Sequence, residues 1–323
     1  MNVLSSSRHL IDPQLLDLLE ALPTVTITES TLAEWRSIPL PPCATGKDPA
    51  AVAVAIRTVS VPGPAGAPDV RLRLYQPQRA ARAASCIYHI HGGGFISGEA
   101  AEWEPQHRQL CAEFGCVLVS VDYRLAPETC FPGNIEDCYA GLKWLFNHAA
   151  ELIVDTRRVG LMGESAGGGL AAALALLARD RGEFALAFQH LASPMLDDRT
   201  GLAEDSGAIT GQWVWTRQNN RFGWSALLGH APGVEGVSPY AAPARANSLV
   251  GLPPTFLTSS ALDLFLEENI EFGRRLLEAG VPTEFHVYPG AFHGFELHPT
   301  AAVACVARRD ARAALARFLE PVA

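Results

Sequence analysis

The chain has 323 residues, 48% of them hydrophobic and only 18% charged, and its formal net charge is −9. An average globular protein carries about 25% charged residues, so the composition excludes a disordered chain and suits one large or two modest packed domains. No block of basic residues is present, and phosphate binding needs a clustered basic face, so we expect no nucleic-acid-binding surface.

The cysteines and the first residues bear on the compartment in which the protein works. Residues 1–10 lack the apolar core of a signal peptide, and the longest apolar stretch, residues 170–178, is far shorter than the roughly 20 residues of a membrane span. We expect a cytoplasmic protein with free thiols and without a bound metal or membrane anchor, because the cysteine count is odd and no C-x-x-C pair occurs. The seven cysteines are Cys43, Cys86, Cys111, Cys116, Cys130, Cys138 and Cys305.

The N-terminal part of the chain carries two helical patterns. Leucines recur from Leu15 to Leu22, a second short pattern surrounds Trp35, and the proline-rich residues 39–42 follow. We expect residues 1–50 to form a helical segment that a linker joins to the main domain, residues 51–323.

From residue 51 onward, β-branched runs give way to an alternation of strands and helices. Two hairpin-like strands followed by strands that alternate with helices predict an α/β fold, with a mostly parallel eight-stranded sheet and helices on both faces. The predicted strands are residues 52–61, 70–75, 86–90, 117–121, 159–162, 184–191, 255–260 and 283–288. The predicted helices are residues 104–114, 135–149, 166–179, 266–279 and 301–318.

Residues 195–246 interrupt this alternation and are rich in glycine, proline and tryptophan. An insertion of this length beyond the carboxyl edge of a parallel sheet lies where ligands bind. We expect it to form a helical cap together with the N-terminal segment. The alternative is a structural excursion whose tryptophans, Trp213, Trp215 and Trp224, only pack against the main domain.

A G-x-S-x-G sequence, residues 163–167, follows a predicted strand and opens a predicted helix. This is the context of a nucleophile elbow, in which the serine lies on a strained turn and its neighbours two residues away need to be glycine. Ser165 is therefore the candidate nucleophile. A glycine-rich turn that only packs tightly is the alternative that the motif alone leaves open.

The three glycines of His91-Gly-Gly-Gly-Phe95 follow another predicted strand. Such a loop can turn its backbone N–H groups toward one point and form the oxyanion hole of an esterase. We expect the donors to be the N–H groups of Gly93 and Gly94 together with that of Ala166 at the start of the helix after Ser165.

A serine nucleophile needs a base and an orienting carboxylate, which in this fold follow it in the order acid then histidine. His293 is the candidate base because it lies in a loop after the last predicted strand and precedes a glycine; His298 is the second choice. Asp263 ends a predicted strand and so reaches the carboxyl edge of the sheet. Among the other candidates, His190 and His286 lie within strands, where a core or surface role is expected, and Glu267 and Glu268 fit a solvated helix face.

Together these motifs resemble the hormone-sensitive-lipase family of α/β-hydrolases. The resemblance rests on residues 91–95, 122–128 and 163–168, the Asp263 strand end and Phe292-His-Gly294, and spans nearly the whole chain. It implies carboxylic-ester hydrolysis through an acyl-enzyme, no cofactor and a helical cap over the site. A homodimer formed through the last strand and its neighbouring helix is also compatible with the resemblance.

Three features depart from the family pattern. Glu164 stands where the family usually has aspartate, and the proline and arginine that commonly follow the acid are absent after Asp263. The segment 195–246 is the part in which family members differ most, so the resemblance does not identify the substrate. Residues 123–128 are expected to act as scaffolding for the oxyanion loop, with no direct catalytic role for Arg124 or Glu128.

The sequence therefore predicts a serine carboxylesterase that acts on small, short-acyl esters with Ser165, His293 and Asp263. An amidase or lactonase with the same triad is the first alternative, since the same acyl chemistry serves all three. A non-catalytic ligand-binding protein on the same scaffold is the second, and the presence of all three triad residues argues against it.

Overall fold

The computed structural model describes residues 6–22, 25–39, 53–78, 83–203 and 209–320. The strands are β1 Val54–Val61, β2 Val70–Pro77, β3 Ala84–Ile90, β4 Val117–Asp122, β5 Val154–Glu164, β6 Gln189–Ala192, β7 Thr255–Ser260 and β8 Thr283–Tyr288. The helices are α1 Leu16–Ala21, α2 Leu32–Ser37, α3 Glu104–Phe114, α4 Gly133–Asn147, α5 Ala166–Arg181, α6 Arg217–Leu228, α7 Leu266–Glu278 and α8 Ala302–Leu319.

The strands form one eight-stranded sheet in the order β1-β2-β4-β3-β5-β6-β7-β8. Strands β1, β2 and β4 pair antiparallel, whereas every pairing from β4 through β3 to β8 is parallel. The predicted α/β fold with a mostly parallel sheet is confirmed. Because parallel strands all end at one edge, the loops after β3, β5, β7 and β8 meet there.

Alternate side chains of the central strands enter two different hydrophobic clusters, as the two-residue period of a strand requires. Cys86, Tyr88 and Leu161 lie in the cluster that α4, α5 and α7 cover, whereas Ile87 and Met162 lie in the one that α3 and α8 cover. Helices therefore shield both faces of the sheet, and the central strands are apolar along nearly their whole length.

One predicted strand is wrong at its start. The prediction places it at residues 184–191, but β6 begins at Gln189. Residues 184–188 bond to β5 on one side only, through Ala187 N to Val159 O and Leu161 N to Phe188 O. Their other side has no strand beside it because Pro253 and Pro254 delay the start of β7 to Thr255. The remaining predicted strands and helices match observed ones, with ends that differ by up to five residues, and Val52 of the first predicted strand lies outside the described residues.

The N-terminal segment contains the two short helices α1 and α2, as predicted, although only Pro39 of the proline-rich stretch lies within the described residues. The insertion between β6 and β7 contains α6, and residues 204–208 of it lie outside the description. Hydrogen bonds join the two segments: Ile27 N donates to Asn219 Oδ1 at 2.9 Å, and Asn219 Nδ2 donates to Val25 O at 3.0 Å.

The six cysteines within the described residues are free thiols, and Cys43 lies outside them. None of the helices in the described ranges is both long and apolar enough to cross a membrane. The cytoplasmic location remains a prediction.

Candidate active site

Ser165 lies on the turn between β5 and α5 with a φ of 55°, a strained value for a residue other than glycine. Its neighbours at two residues' distance have no space for a side chain. A Cβ on Gly163 would lie 2.3 Å from Gly167 O, and one on Gly167 would lie 2.1 Å from Ile90 O. Only glycine at both positions lets the turn close and present the serine hydroxyl at the carboxyl edge of the sheet.

A continuous set of hydrogen bonds connects Ser165, His293 and Asp263. His293 Nε2 lies 3.0 Å from Ser165 Oγ, and His293 Nδ1 lies 2.7 Å from Asp263 Oδ2. Asp263 lies three residues beyond the end of β7 and is 1% exposed, and its other carboxylate oxygen accepts from Phe265 N at 3.2 Å. The structure thus brings together the three residues that the sequence suggested for a triad.

The environment of His293 favours its protonated form. Burial alone would lower the pKa of His293, but the charge and the hydrogen bond of Asp263 raise it above its ordinary value. The ring of Phe265 stands edge-on to the imidazole, with centroids 5.3 Å apart and planes at 87°. The imidazole is therefore held by a buried carboxylate and by contact with an aromatic ring.

The glycine loop after β3 approaches the serine closely. A Cβ on Gly92 would lie 3.4 Å from Ser165 Cβ, and Gly93 and Gly94 have positive φ values of 109° and 61°. Within the described residues, the backbone N–H groups of Gly93, Gly94 and Ala166 donate to no other residue. These three N–H groups are therefore free to donate to a bound molecule, which is one requirement of an oxyanion hole.

The scaffolding expected from residues 123–128 contacts this loop at two points. Tyr123 Oη donates to His91 O at 2.9 Å, and Ala126 N donates to Phe95 O at 3.0 Å. Arg124 pairs with the buried Asp137 of α4 at 2.7 Å.

The N-terminal segment makes further contacts to the loop that the sequence did not indicate. Arg36 Nε donates to Ile96 O at 2.7 Å, and the same guanidinium pairs with Glu128 at 2.6 Å. Trp35 Nε1 donates to Ser97 Oγ at 3.0 Å. These contacts join residues 60 or more positions apart in the chain, and no local pattern marks them.

Glu164, which replaces the expected aspartate, turns toward β3. Its Oε2 lies 3.0 Å from His89 Nε2, and His89 Nδ1 lies 2.9 Å from Ser120 Oγ. The longer side chain thus reaches a buried histidine on the neighbouring strand.

His298, the second choice for the base, binds the N-terminal segment. It lies 3.1 Å from Asp17 in α1 and accepts from Ala301 N at 2.7 Å.

The expectation that Glu268 is solvated is wrong. It is 7% exposed, accepts from Leu196 N at 2.7 Å and also bonds the hydroxyl of Thr200, because α7 turns this face toward the start of the insertion.

A cavity of about 290 Å³ opens onto Ser165 and His293. Trp35 and Trp215 form part of its wall, and a Cβ on Gly94 would lie only 2.2 Å from Trp215 Cη2. Trp224, in contrast, is fully buried and packs on Phe95. Among the residues described, no group of three or more His, Cys, Asp or Glu side chains is placed to hold a metal ion.

Comparison with known proteins finds a matching family and several similar esterases. A family model described as alpha/beta hydrolase fold matches residues 87–297. Esterase LipI of Mycobacterium tuberculosis is 32% identical over 294 residues, which is 88% of each chain. The acetyl esterase of Salmonella agona is 31% identical over 243 residues, 74% of this chain and 72% of that one.

A solved structure, the bacterial heroin esterase, superposes with a TM-score of 0.86 at 39% identity and covers 98% of this chain and 100% of its own. The chain therefore belongs to the hormone-sensitive-lipase family of the α/β-hydrolase fold, a family of serine carboxylesterases.

Proposed function

We propose that the protein hydrolyses small carboxylic esters with short acyl groups through a triad of Ser165, His293 and Asp263. The observation that carries the proposal is the hydrogen-bonded series from Ser165 Oγ through His293 to the buried carboxylate of Asp263. Membership of an esterase family supports it, as do relatives named esterase, carboxylesterase and acetyl esterase.

In the first half of the reaction Ser165 Oγ attacks the ester carbonyl carbon while His293 Nε2 takes the hydroxyl proton. The carbonyl oxygen becomes an oxyanion that accepts from the N–H groups of Gly93, Gly94 and Ala166, and the loss of one such donor typically lowers the rate about 10²- to 10³-fold. Asp263 stabilises the imidazolium. The C–O bond to the alcohol then breaks, and His293 gives its proton to the leaving oxygen.

In the second half a water molecule takes the place of the alcohol. His293 removes a proton from it, the hydroxide attacks the acyl carbon, and a second oxyanion forms at the same three donors. Collapse of this intermediate breaks the bond to Ser165 Oγ, which recovers its proton from His293, and the carboxylic acid leaves. The cycle consumes one ester and one water and needs no cofactor.

The size of the cavity supports small substrates. Its volume of about 290 Å³ lies at the lower end of small-molecule sites, which span roughly 300–1,000 Å³. We include in the proposal that residues 1–50 and 195–246 act as a cap over a catalytic domain of residues 51–323. Contacts of Trp35 and Trp215 with the cavity support this division. Homodimer formation is a further proposal that rests on the family resemblance.

The test combines labelling and kinetics. An organophosphate should form one adduct at Ser165, located by mass spectrometry and absent in Ser165→Ala. Hydrolysis of p-nitrophenyl esters should be fastest with short acyl chains. Comparison with a p-nitroanilide of the same acyl group and a simple γ-lactone separates the esterase from the amidase and lactonase alternatives. Absence of both the adduct and ester hydrolysis would favour a ligand-binding protein.

A further inference from the structure

The cavity extends past Ser165 along the sheet face that α3 and α8 cover. Four of its wall residues occupy one face, because paired strand residues project to the same side. Met162 pairs with His190, and Ala192 pairs with Thr258. We name this part of the cavity the sheet-side lobe and define it by Met162, His190, Ala192, Ser193 and Thr258, all of which line the cavity.

Three polar side chains of this lobe are buried and unpaired. His190, Ser193 and Thr258 are each at most 5% exposed. Neither hydroxyl has a hydrogen-bond partner within the described residues, and neither ring nitrogen of His190 makes a hydrogen bond of good geometry there, although the backbone of Ala311 lies near the ring. Buried polar groups are nearly always paired, so three unpaired ones on one cavity wall indicate a place where a bound molecule completes the hydrogen bonds.

The charged groups around the lobe balance one another. Three acidic and three basic side chains line the cavity: Glu102, Glu164 and Glu296, and Arg36, Arg308 and Arg312. Arg308 donates to three backbone carbonyls of the loop before α8, and Arg312 pairs with Glu113 of α3 at 3.4 Å. The lining therefore carries no excess of either charge that would attract an ionised substituent.

The imidazole of His190 can both donate and accept a hydrogen bond. Burial lowers the pKa of His190 to about 4, so its imidazole is neutral near neutral pH and carries one donor and one acceptor nitrogen. The ring stacks on Phe256, with centroids 4.7 Å apart and planes at 25°, which fixes its orientation. Together with two hydroxyls, this wall can bond an oxygen that accepts, donates or does both.

We propose that the sheet-side lobe is a polar subsite that takes an uncharged oxygen substituent, such as a ketone, ether or hydroxyl, on one arm of the ester. The inference rests on the esterase function proposed above and narrows its substrate class. It differs from a plain acyl or alcohol pocket because it makes a short oxygenated arm a better substrate than an alkyl arm of the same length.

The test uses two substrate pairs matched in length, one for each arm of the ester. The acyl pair is p-nitrophenyl levulinate and p-nitrophenyl pentanoate, and the alcohol pair is methoxyethyl acetate and butyl acetate. The readout is the ratio of kcat/KM for the oxygenated ester to that for the alkyl ester. His190→Phe removes both ring nitrogens but keeps the stacking on Phe256. Thr258→Val removes the hydroxyl but keeps the shape of the side chain, and it is the second variant in case His190→Phe does not fold.

Ser259→Ala is the matched control. Ser259 neighbours Thr258, is fully buried and also has an unpaired hydroxyl, but it projects to the other face of the sheet and is absent from the cavity wall. We expect the wild-type ratio to exceed one for at least one pair. That ratio should fall about fivefold in each lobe variant, the worth of one neutral hydrogen bond, and remain unchanged in Ser259→Ala.

The pair that responds shows which arm of the ester enters the lobe. If the protein hydrolyses the esters but neither lobe variant changes the kcat/KM ratios, the subsite proposal is overturned. Water alone would then satisfy the polar groups of the lobe. Failure of the wild type to hydrolyse all four esters, without an organophosphate adduct at Ser165, would overturn the esterase proposal and the subsite with it.

Discussion

The indole nitrogen of Trp35 donates a hydrogen bond of 3.0 Å to the hydroxyl of Ser97, and that hydroxyl donates to Gly93 O, also at 3.0 Å. Ser97 N donates to the same carbonyl at 3.0 Å. The N-terminal segment therefore reaches, through one serine, the peptide group that joins Gly93 to Gly94 and carries the Gly94 N–H, one of the proposed oxyanion donors. Arg36, the next residue, anchors the loop one position before Ser97.

Trp35→Phe should lower kcat about three- to tenfold. The substitution keeps an aromatic ring in the cavity wall but removes the N–H that holds Ser97, and one neutral hydrogen bond contributes roughly 0.5–1.5 kcal/mol. Since the loop donates to the oxyanion, its loosening affects the transition state more than substrate binding, so KM should change less than kcat. Steady-state kinetics with a p-nitrophenyl ester measures both.

Trp213→Phe provides the control for this effect. Trp213 Nε1 donates to Ser7 Oγ at 2.9 Å, so it also joins the insertion to the N-terminal segment, but within the described residues no hydrogen bond joins it to the glycine loop. Its kcat should remain at the wild-type level. An equal loss in both variants would mean that general attachment of the N-terminal segment, and not the Ser97 contact, supports activity.

The sequence identifies candidates wherever local backbone geometry leaves a residue pattern. Ser165 stands out because its strained turn demands glycine on both sides, and Asp263 and His293 follow strands whose ends meet at one edge. Trp35 and Ser97 leave no such mark, because a hydrogen bond across 62 positions depends on how the N-terminal segment packs. The expectation of a solvated Glu268 fails for the same reason, since its partner Leu196 N is 72 positions away.

Gly94→Ala should lower kcat/KM by more than about 10²-fold. The new Cβ would lie 2.2 Å from Trp215 Cη2, and Trp215 is buried, so the loop or the indole has to move and the oxyanion donor moves with it. In the double variant with Trp215→Leu part of the activity should return. The remaining loss reflects the φ of 61°, which costs alanine about 1 kcal/mol or more.

Gly182→Ala separates the two causes. Gly182 has a similar φ of 66° at the end of α5, but a Cβ there meets nothing within 4 Å. This variant should lose a little stability and keep wild-type kcat/KM. If Trp215→Leu returned no activity to Gly94→Ala, the clash would not be the cause of the loss.

The pH profile of kcat/KM should rise with pH to a midpoint above about 6.5, the ordinary pKa of histidine. The base has to be neutral to accept the serine proton, and the charge of Asp263 raises the pKa of His293, so activity is lost as pH falls through that raised value. Asp263→Asn should move the midpoint to lower pH and reduce kcat about 10³- to 10⁴-fold.

His298→Gln is the companion variant for this measurement. Its imidazole contacts Asp17 and the start of α8 and lies away from Ser165, so both the midpoint and kcat should match the wild type. A midpoint that moved in His298→Gln but not in Asp263→Asn would reassign the base to His298.

Glu268→Gln should stabilise the protein at alkaline pH. Burial raises the pKa of Glu268 well above its ordinary value, so the folded state holds a proton that the unfolded state releases near pH 4.3. Stability therefore falls as pH rises from about 4.3 toward the folded pKa, because the folded state binds more protons there. Glutamine does not titrate, and its amide can still accept from Leu196 N and donate to the hydroxyl of Thr200.

The expected result is a Tm that exceeds the wild-type value by about 2–4 °C at alkaline pH, roughly the effect of 1 kcal/mol, with a smaller difference in mild acid. Thermal unfolding monitored by circular dichroism over a pH series measures it. Glu267→Gln is the control, since it makes the same carboxyl-to-amide change at an exposed position next in the chain. Equal shifts in both variants would attribute the effect to the net charge of −9 and not to the buried carboxyl.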